Sequence, residues 1–312
     1  MRRISIVIPT YNRAAYLKEA IESALAQDYE NLEIIVSDNA STDETEAVAQ
    51  GYKKNDRFKY YRNSANLGMV GNWRKAIFDY STGDYFLILS DDDYLLDESY
   101  ISKAAALIDR ENEMVIVVAG SYILYEDTGE RISFDLPFKE TMEGKAIFLN
   151  QKREKSKGFT LSNTIFDRNL TIKLDAFTNS YNSSCDMELF WKLCLYGKVG
   201  VVNDHVSVYR RHSRNESTSV KGDIKFLVNN NEAYIEPYKL AKNLGSFTAE
   251  QLKGWEEKIY VKIYRTLKSA CKSQSFDEVL NALREKYPDI VEIVLKKYYF
   301  QLLFIKMRHL FT

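Results

Sequence analysis

Short apolar runs alternate with stretches of helical spacing through the first 89 residues of the chain. The runs occupy residues 4–8, 32–37, 58–62 and 85–89. Between them, apolar side chains recur every three or four positions, as they do on one face of a helix. Strands that alternate with helices in this way predict a parallel sheet with right-handed crossovers. We therefore expect an α/β fold, a mostly parallel, Rossmann-like sheet flanked by helices.

Polar residues follow these runs at the points where the runs end. Residues 9–12, 38–41 and 91–93 follow the first, second and fourth runs, and residues 66–68 lie beyond the third. The carboxyl ends of parallel strands share one edge of a sheet, and ligands of open α/β sheets bind in the crevice there. The sequence therefore predicts that these separate segments form one binding site.

Three adjacent carboxylates, Asp91, Asp92 and Asp93, follow the apolar run at 85–89. Like charges so close together repel one another, and a bound cation removes that cost. Mg²⁺ and Mn²⁺ prefer such hard oxygen ligands and often share them with a phosphate-bearing substrate. The alternative is an ordinary surface turn, in which Asp is common.

The composition is that of a core-forming globular protein. Of the 312 residues, 45% are hydrophobic and 28% are charged, which excludes a disordered chain. The formal net charge of −1 provides no basic field and argues against a nucleic-acid partner. No apolar run approaches the roughly 20 residues that cross a bilayer, and the N-terminus lacks the pattern of a secretory signal. Three cysteines without metal-ligand spacing suit free thiols in the cytoplasm.

The second half of the chain changes character twice. A helix at 101–109 and a strand at 114–119 are followed by an irregular stretch at 121–158, in which only 143–150 has helical spacing. Beyond residue 222 the strand patterns stop. We therefore predict a first domain at 1–222 and a helical extension at 223–312. The remaining predicted elements are a helix at 185–197, strands at 199–203 and 205–209, and helices at 224–241, 248–273, 276–286 and 290–310.

Four motifs, taken together, resemble the GT-A-fold family 2 glycosyltransferases. They occupy residues 5–12, 36–43, 66–68 and 89–93, and the resemblance extends to about residue 220. It implies a GT-A fold, with a nucleotide-sugar-binding half at 1–119 and an acceptor half at 120–222. It also implies the transfer of a sugar, with inversion, from a UDP- or dTDP-sugar to an acceptor hydroxyl. It also implies Mn²⁺ or Mg²⁺ as cofactor and a role in building cell-surface polysaccharide or glycoconjugate.

The resemblance assigns roles to individual residues. Thr10 and Tyr11 would frame the nucleoside, Asp38 would accept hydrogen bonds from the base, and Asp93 would bind the metal ion. Some relatives carry an arginine near the position where this chain has Gly68, so Arg74 or the later basic loop would meet the diphosphate instead. The full set of predicted donor-contacting residues is Pro9, Thr10, Tyr11, Asn12, Asp38, Asn66, Gly68, Arg74, Asp91, Asp92 and Arg210.

Two further roles come from the second half of the resemblance. Asp186 matches the catalytic base, although Cys185 stands where the family often has glutamate. The alternative for Asp186 is a helix N-cap. His212 lies in a basic loop that resembles the segment closing over the diphosphate, where it would complete the metal shell. The alternative for His212 is a structural histidine.

The C-terminal segment 296–311 contains lysine, arginine and aromatic residues but no acid. Such a helix can lie on a membrane surface, which would place the protein on the inner face of the cytoplasmic membrane with a glycan or lipid-linked glycan acceptor. The alternatives are packing on the first domain or on a second copy of the chain. For the whole protein, the alternatives to a glycosyltransferase are an inactive sugar-nucleotide-binding scaffold and a sugar-1-phosphate nucleotidyltransferase.

Overall fold

A computed structural model of the chain describes residues 1–137, 140–150, 160–213, 215, 223–272 and 275–310, with only the backbone of 272 and 305–310. These residues form two compact units. The first unit contains Met1–Ser180 and Lys192–Ser213, and the second contains Tyr181–Trp191 and Arg214–Thr312. The predicted domain boundary at residue 222 lies outside the described residues and stays a prediction.

The first unit is a single mixed sheet with helices along it. The order of its main strands is β3-β2-β1-β4-β9-β6-β10-β5. In chain order its elements are β1 (Ile4–Thr10), α1 (Ala14–Leu25), β2 (Leu32–Asp38), α2 (Thr45–Gln50), β3 (Phe58–Arg62), α3 (Gly68–Lys75), β4 (Tyr85–Ile88), β5 (Tyr94–Leu95), α4 (Tyr100–Arg110), β6 (Met114–Tyr125), β7 (Arg131–Phe134), β8 (Met142–Glu143), α5 (Gly144–Leu149), β9 (Thr164–Asp167), α6 (Arg168–Lys173) and β10 (Lys198–Arg211).

The predicted parallel half of this sheet is confirmed. Strand β1 pairs in parallel with both β2 and β4, and β2 pairs in parallel with β3. All seven residues of β2 are buried, which is expected where helices cover both faces of a parallel strand. On α1, Leu17, Ala20, Ile21 and Ala24 are buried at helical spacing. The alternation of apolar run and helix therefore does produce the expected crossovers.

The second half of the sheet differs from the prediction. Strand β9 lies antiparallel between β4 and β6, and sequence patterning missed it because only Ile165 and Phe166 of its four residues are apolar. The stretch predicted to be irregular contains the end of β6, the antiparallel β7 and the short β8, while its residues 138–139 and 151–158 lie outside the described residues. The two strands predicted at 199–203 and 205–209 form one strand, β10, with shifts of register around His205. The sheet nevertheless stays mostly parallel.

The second unit is helical. It begins with most of α7 (Cys185–Leu193) and continues with α8 (Ile224–Asn229), α9 (Glu232–Leu244), α10 (Ala249–Lys272), α11 (Phe276–Lys286) and α12 (Pro288–Leu310). The helix predicted at 224–241 is two helices, because Asn231 turns its side-chain amide back onto the carbonyl oxygens of Leu227 and Val228. Among the described residues, no helix is both long enough and apolar enough to span a membrane.

Candidate functional site

The segments that follow β1 and β2 lie side by side, as the parallel sheet requires. Thr10 is opposite Asp38 in the register of the two strands. Beyond them, the backbone N–H of Asn12 donates to Ser41 Oγ at 2.9 Å, and the backbone N–H of Thr42 donates to Asn12 Oδ1 at 2.7 Å. Asn12 adopts a positive φ of 52°, a conformation that asparagine tolerates better than most residues. The two predicted motifs therefore form one loop cluster.

The side chains of the first motif differ in their exposure. Pro9 lies within β1 opposite Ser37, Thr10 is buried, and Tyr11 is 45% exposed. An exposed aromatic ring beside a polar loop is available to stack on a ligand. This placement is compatible with the predicted nucleoside contacts of Thr10 and Tyr11, which stay predictions.

Asp38 is fully buried at the end of β2. Its Oδ1 accepts from the backbone N–H of Ser41 at 2.8 Å, and its Oδ2 accepts from the Tyr60 hydroxyl at 2.6 Å. Burial, together with the hydrogen bond to Asp38, raises the pKa of Tyr60, so Tyr60 stays a donor. Asp38 is thus held in place as an acceptor.

A network of side-chain amides positions the loop at 66–68. Asn39 Nδ2 donates to Asn66 Oδ1 at 2.8 Å, and Asn39 Oδ1 accepts from the backbone N–H of Leu67 at 2.8 Å. Gly68, with a φ of 74°, begins α3 next to open space. The predicted residues Asn66 and Gly68 are therefore fixed to the end of β2 through Asn39.

Arg74, predicted to contact the diphosphate, is engaged elsewhere. Its guanidinium donates to the carbonyl oxygen of Ala176 at 2.6 Å and to Asp175 Oδ1 at 2.7 Å, and it lies 4.1 Å from the centre of the Phe78 ring. The structure therefore does not bring Arg74 together with the other predicted residues.

The three acids after β4 are all buried, with Asp91 and Asp92 5% exposed and Asp93 2% exposed. Arg13, which the sequence analysis missed, joins two of them. Its Nη1 lies 3.1 Å from Asp91 Oδ1 and 2.7 Å from Asp92 Oδ2. Burial raises the pKa of Asp91 to about 6 even though Arg13 opposes the shift. The acids are therefore a pocket of incompletely neutralised negative charge rather than a surface turn.

Asp93 is held from two other segments. Its Oδ2 accepts from the Ser162 hydroxyl at 2.6 Å, and its Oδ1 accepts from the backbone N–H of Arg210 at 2.9 Å. Burial and the neighbouring carboxylate of Asp92 raise its pKa well above the usual range. The Arg210 side chain donates from Nε to the carbonyl oxygen of Asp92 at 2.9 Å and pairs with Glu19.

His212 lies next to the acids, but it faces Asp92 rather than Asp93. Its Nε2 is 3.0 Å from Asp92 Oδ2, and its side chain is 5% exposed. The imidazole stacks on the ring of Tyr16, with centroids 5.2 Å apart. The Tyr16 hydroxyl in turn donates to the carboxylate of Glu126.

These residues fit a divalent cation that also binds a substrate. Carboxylate oxygens and an imidazole nitrogen are suitable ligands for Mn²⁺ or Mg²⁺, and a cation would neutralise the buried acids. In the part of the chain that the structure describes, no three His, Cys, Asp or Glu side chains form a complete metal cage. A cation held here by Asp93 and His212 would therefore take its remaining ligands from a bound molecule.

Asp186 lies in the second unit, in the first turn of α7. The helix begins at Cys185, so the alternative that Asp186 is its N-cap is wrong. Burial raises the pKa of Asp186 to about 6, and it raises the pKa of the Cys185 thiol, which is buried and free. Near it, Asn182 donates to Glu188 at 2.7 Å. Glu188 is thus the acid that ties the preceding loop to this helix.

Sequence reasoning missed Arg13, Tyr16 and Ser162. Arg13 directly follows the first motif, and its position beside that motif was a usable signal. Tyr16 is one helical turn further along. Ser162 lies in a short 3-10 turn, Leu161–Asn163, that no sequence pattern predicted.

Comparison with known proteins agrees with the fold and the motifs. The sequence profile described as Glycosyl transferase family 2 matches residues 5–174. A GalNAc(5)-diNAcBac-PP-undecaprenol β-1,3-glucosyltransferase of Campylobacter jejuni is 36% identical over 129 residues, which is 41% of this chain and 40% of that protein. The chain therefore spans about two fifths of the length of this curated relative.

Two solved structures share the fold. Residues 1–349 of TarS from S. aureus, in complex with UDP-GlcNAc, match with a TM-score of 0.68 and 16% identity over 98% of this chain and 89% of that one. The mannosyltransferase PcManGT from Pyrobaculum calidifontis, in complex with GDP-Man and Mn²⁺, matches with a TM-score of 0.54 and 16% identity over 98% of this chain and 87% of that one. The chain has a GT-A fold with a helical extension.

Proposed function

The chain belongs to glycosyl transferase family 2, a family of transferase enzymes, and from this premise we propose that it transfers a sugar, with inversion, from a UDP- or dTDP-sugar to a hydroxyl of a glycan acceptor. The observation that carries the proposal is the buried cluster of Asp91, Asp92 and Asp93, held by Arg13 and next to His212. The segments that converge on Asp38 belong to the same edge of the sheet.

The donor is held by groups at the ends of β1, β2 and β4. Asp38 can only accept hydrogen bonds, and it is fixed by Ser41 and Tyr60. A base that presents an N–H donor, as uracil and thymine do at N3, satisfies such an acceptor. The UDP-GlcNAc complex of TarS supports uracil as the base of the donor. The GDP-Man complex of PcManGT makes guanine the alternative base.

The charge of the site supports metal dependence. A divalent cation, when bound, neutralises the charge that builds on the leaving diphosphate. Asp93 and His212 would hold it, while Asp92 orients His212 and Arg13 balances the remaining acids. The Mn²⁺ in the PcManGT complex supports a metal ion in a protein of this fold.

Asp186 is the proposed base. Inverting transfer requires a group that accepts the proton of the attacking hydroxyl. A pKa raised to about 6 by burial leaves Asp186 mostly ionised at pH 7 and still basic enough to take a proton. A buried, poorly solvated carboxylate suits this role better than an exposed one.

We further propose that the acceptor is a lipid-linked glycan at the inner face of the cytoplasmic membrane, in cell-surface glycan assembly. The Campylobacter relative is named for a PP-undecaprenol compound. On α12, Phe300 is 79% exposed and Phe304 is 64% exposed, and the exposed Lys296, one helical turn before Phe300, suits anionic headgroups. The alternative is that a second copy of the chain covers this face of α12.

The deciding experiment measures release of nucleoside diphosphate from a panel of UDP-, dTDP- and GDP-sugars, with and without Mn²⁺. The variants are Asp93→Asn and, as the matched control, Asp109→Asn, whose carboxylate is exposed on α4. We expect turnover of one donor that requires Mn²⁺, is lost in Asp93→Asn and survives in Asp109→Asn. Donor binding without any turnover would favour the scaffold, and formation of a nucleotide sugar from sugar-1-phosphate would favour the nucleotidyltransferase.

A further inference from the structure

We propose that Lys258, Lys262 and Arg265 of α10 form a binding site for a phosphate group of the acceptor, next to Asp186. The inference rests on the proposed function, because it takes Asp186 as the base, and it adds a substrate-binding site in the helical unit. All of the residues that carry it belong to that unit.

The three cations share one face of α10. Their spacing of four and then three residues places them on successive turns of the same side of a helix. Lys262 is half-buried and Arg265 is exposed. Among the residues that the structure describes, no carboxylate lies within ion-pair distance of Lys262 or Arg265.

Keeping these charges together costs stability. Burial lowers the pKa of Lys262, and the like charge of Arg265 lowers it further. Both effects disfavour the charged ammonium at neutral pH. A half-buried lysine that has a like charge beside it and no ion-paired carboxylate is therefore unfavourable for folding alone. A bound anionic ligand would favour its charged form.

Tyr234 connects the cations to Asp186. The ammonium groups of Lys258 and Lys262 lie 5.1 and 5.6 Å from the centre of its ring. Burial raises the pKa of Tyr234, while the charge of Arg265 lowers it and the charge of Asp186 raises it. Both charged groups therefore lie within electrostatic range of the Tyr234 hydroxyl.

Aromatic rings surround the same place. Lys258 Nζ lies 5.2 Å from the centre of the Trp191 ring and 5.5 Å from that of Trp255, and the two indoles meet edge to face at 5.3 Å. Rings that flank an ammonium keep it in place and reduce its contact with water. The cluster is thus a preorganised cationic surface and not a set of freely moving lysines.

The charged groups of the cluster favour a phosphate as the ligand. The position of the cluster favours the acceptor as the molecule that carries this phosphate. Two ammonium groups and a guanidinium provide several charge-assisted donors, which suit the many oxygens of a diphosphate. Lys258 contacts Trp191 on α7, the helix that carries Asp186, and Asp186 takes a proton from the acceptor hydroxyl under the proposed function. A phosphate bound here would therefore be carried by the acceptor.

The test is titration calorimetry with hexyl diphosphate in buffer that contains EDTA, so that no divalent cation mediates binding elsewhere. The native protein is compared with Lys262→Gln and Arg265→Gln, and with the matched control Lys253→Gln, an exposed lysine on the same helix. Loss of one charge-assisted contact weakens binding by about tenfold. We expect that loss in the two test variants and none in the control.

Stability distinguishes a ligand site from a structural role. Because Lys262 and Arg265 repel each other, we expect the Tm of Lys262→Gln without ligand to equal or exceed that of the native protein. A fall of several degrees in Tm, or equal binding of hexyl diphosphate by all four proteins, would overturn the proposal.

Two further titrations identify the source of the phosphate. Binding of inorganic pyrophosphate as tight as that of hexyl diphosphate would overturn the acceptor assignment in favour of a free anion. Loss of binding to phosphatidylglycerol vesicles in the variants, with no binding of the soluble probe by the native protein, would overturn it in favour of a lipid surface. Neither titration involves turnover. Failure of the proposed function would therefore show in the donor assay, and failure of the phosphate site would show in the binding titrations.

Discussion

The imidazole of His212 lies nearly parallel to the ring of Tyr16, with the two planes inclined by 13° and the centroids 5.2 Å apart. This contact joins the end of β10 to the first turn of α1. It also fixes the plane in which His212 Nε2 points to Asp92 Oδ2, 3.0 Å away. Tyr16 is therefore a positioning residue for the proposed metal site.

We expect Tyr16→Leu to weaken Mn²⁺ binding by about fivefold, which corresponds to the roughly 1 kcal/mol of an aromatic pair. Tyr16→Phe keeps the stacked ring and loses only the hydrogen bond to Glu126, so its affinity should stay within about twofold of the native value. Titration of free Mn²⁺ by electron paramagnetic resonance measures both variants without requiring turnover. Equal affinity in the Leu and Phe variants would show that stacking does not position His212.

Arg13 is expected to stabilise the fold by balancing Asp91 and Asp92. Removing one partner from a buried ion pair costs about 3–5 kcal/mol, and the partial exposure of Arg13 places Arg13→Gln near about 3 kcal/mol. Urea unfolding at pH 7.5 measures this change, with the exposed Arg110→Gln as control.

Saturating Mn²⁺ should reduce the difference in unfolding free energy between the native protein and Arg13→Gln, because the cation replaces part of the lost positive charge. A difference in unfolding free energy that Mn²⁺ leaves unchanged would mean that the cation does not bind near Asp91 and Asp92.

The sequence was sufficient to predict the part of the site that depends on parallel strands. Residues at the carboxyl ends of β1, β2 and β4 must meet, because hydrogen-bonded strands leave no other arrangement. Asp38 and Asp93 could therefore be placed from periodicity and motif alone. The family resemblance added His212, which the structure brings next to Asp92.

Other partners could not be predicted because they depend on tertiary packing. Ser162 reaches Asp93 from a turn 69 residues away, and Arg74 is held by Asp175 at a distance of 101 residues in sequence. Neither contact produces a periodic pattern in the sequence. The short strand β9, which brings Ser162 close to β4, was missed because only two of its four residues are apolar.

Asp186 should give the reaction a dependence on pH. Its pKa is raised to about 6, so the carboxylate that accepts a proton is lost as the pH falls through about 6. We expect kcat to fall about tenfold for each pH unit below that value. Asp186→Asn should lower kcat by 10²–10⁴-fold or more, in line with the usual contribution of a general base, while donor binding stays unchanged.

The control for this prediction is Glu250→Gln, an exposed acid in the same unit. A kcat profile that is flat from pH 5 to 8 would contradict the role of Asp186 as base, provided that donor binding itself is constant over that range. Calorimetry with the nucleoside diphosphate at each pH supplies this second measurement.

Glu33 gives a prediction about stability that is independent of function. It is 1% exposed on β2 and accepts from Lys59 Nζ at 2.8 Å, Ser5 Oγ at 2.7 Å and the backbone N–H of Thr82 at 2.6 Å. Burial alone would raise its pKa, but these hydrogen bonds outweigh burial and lower the pKa from 4.5 to about 2. The carboxylate therefore stabilises the folded state wherever it is ionised.

A lowered pKa of this size corresponds to about 3 kcal/mol of stability. Because the folded pKa lies below the unfolded one, that contribution is complete above about pH 4.5 and is lost as the pH falls towards 2. Glu33→Gln should therefore lower the unfolding free energy by about 3 kcal/mol at pH 7 and by much less at pH 3. Urea unfolding at both pH values measures this, with Glu30→Gln, an exposed acid just before β2, as control. A deficit of the same size at pH 3 would show that Glu33 contributes through packing and not through its charge.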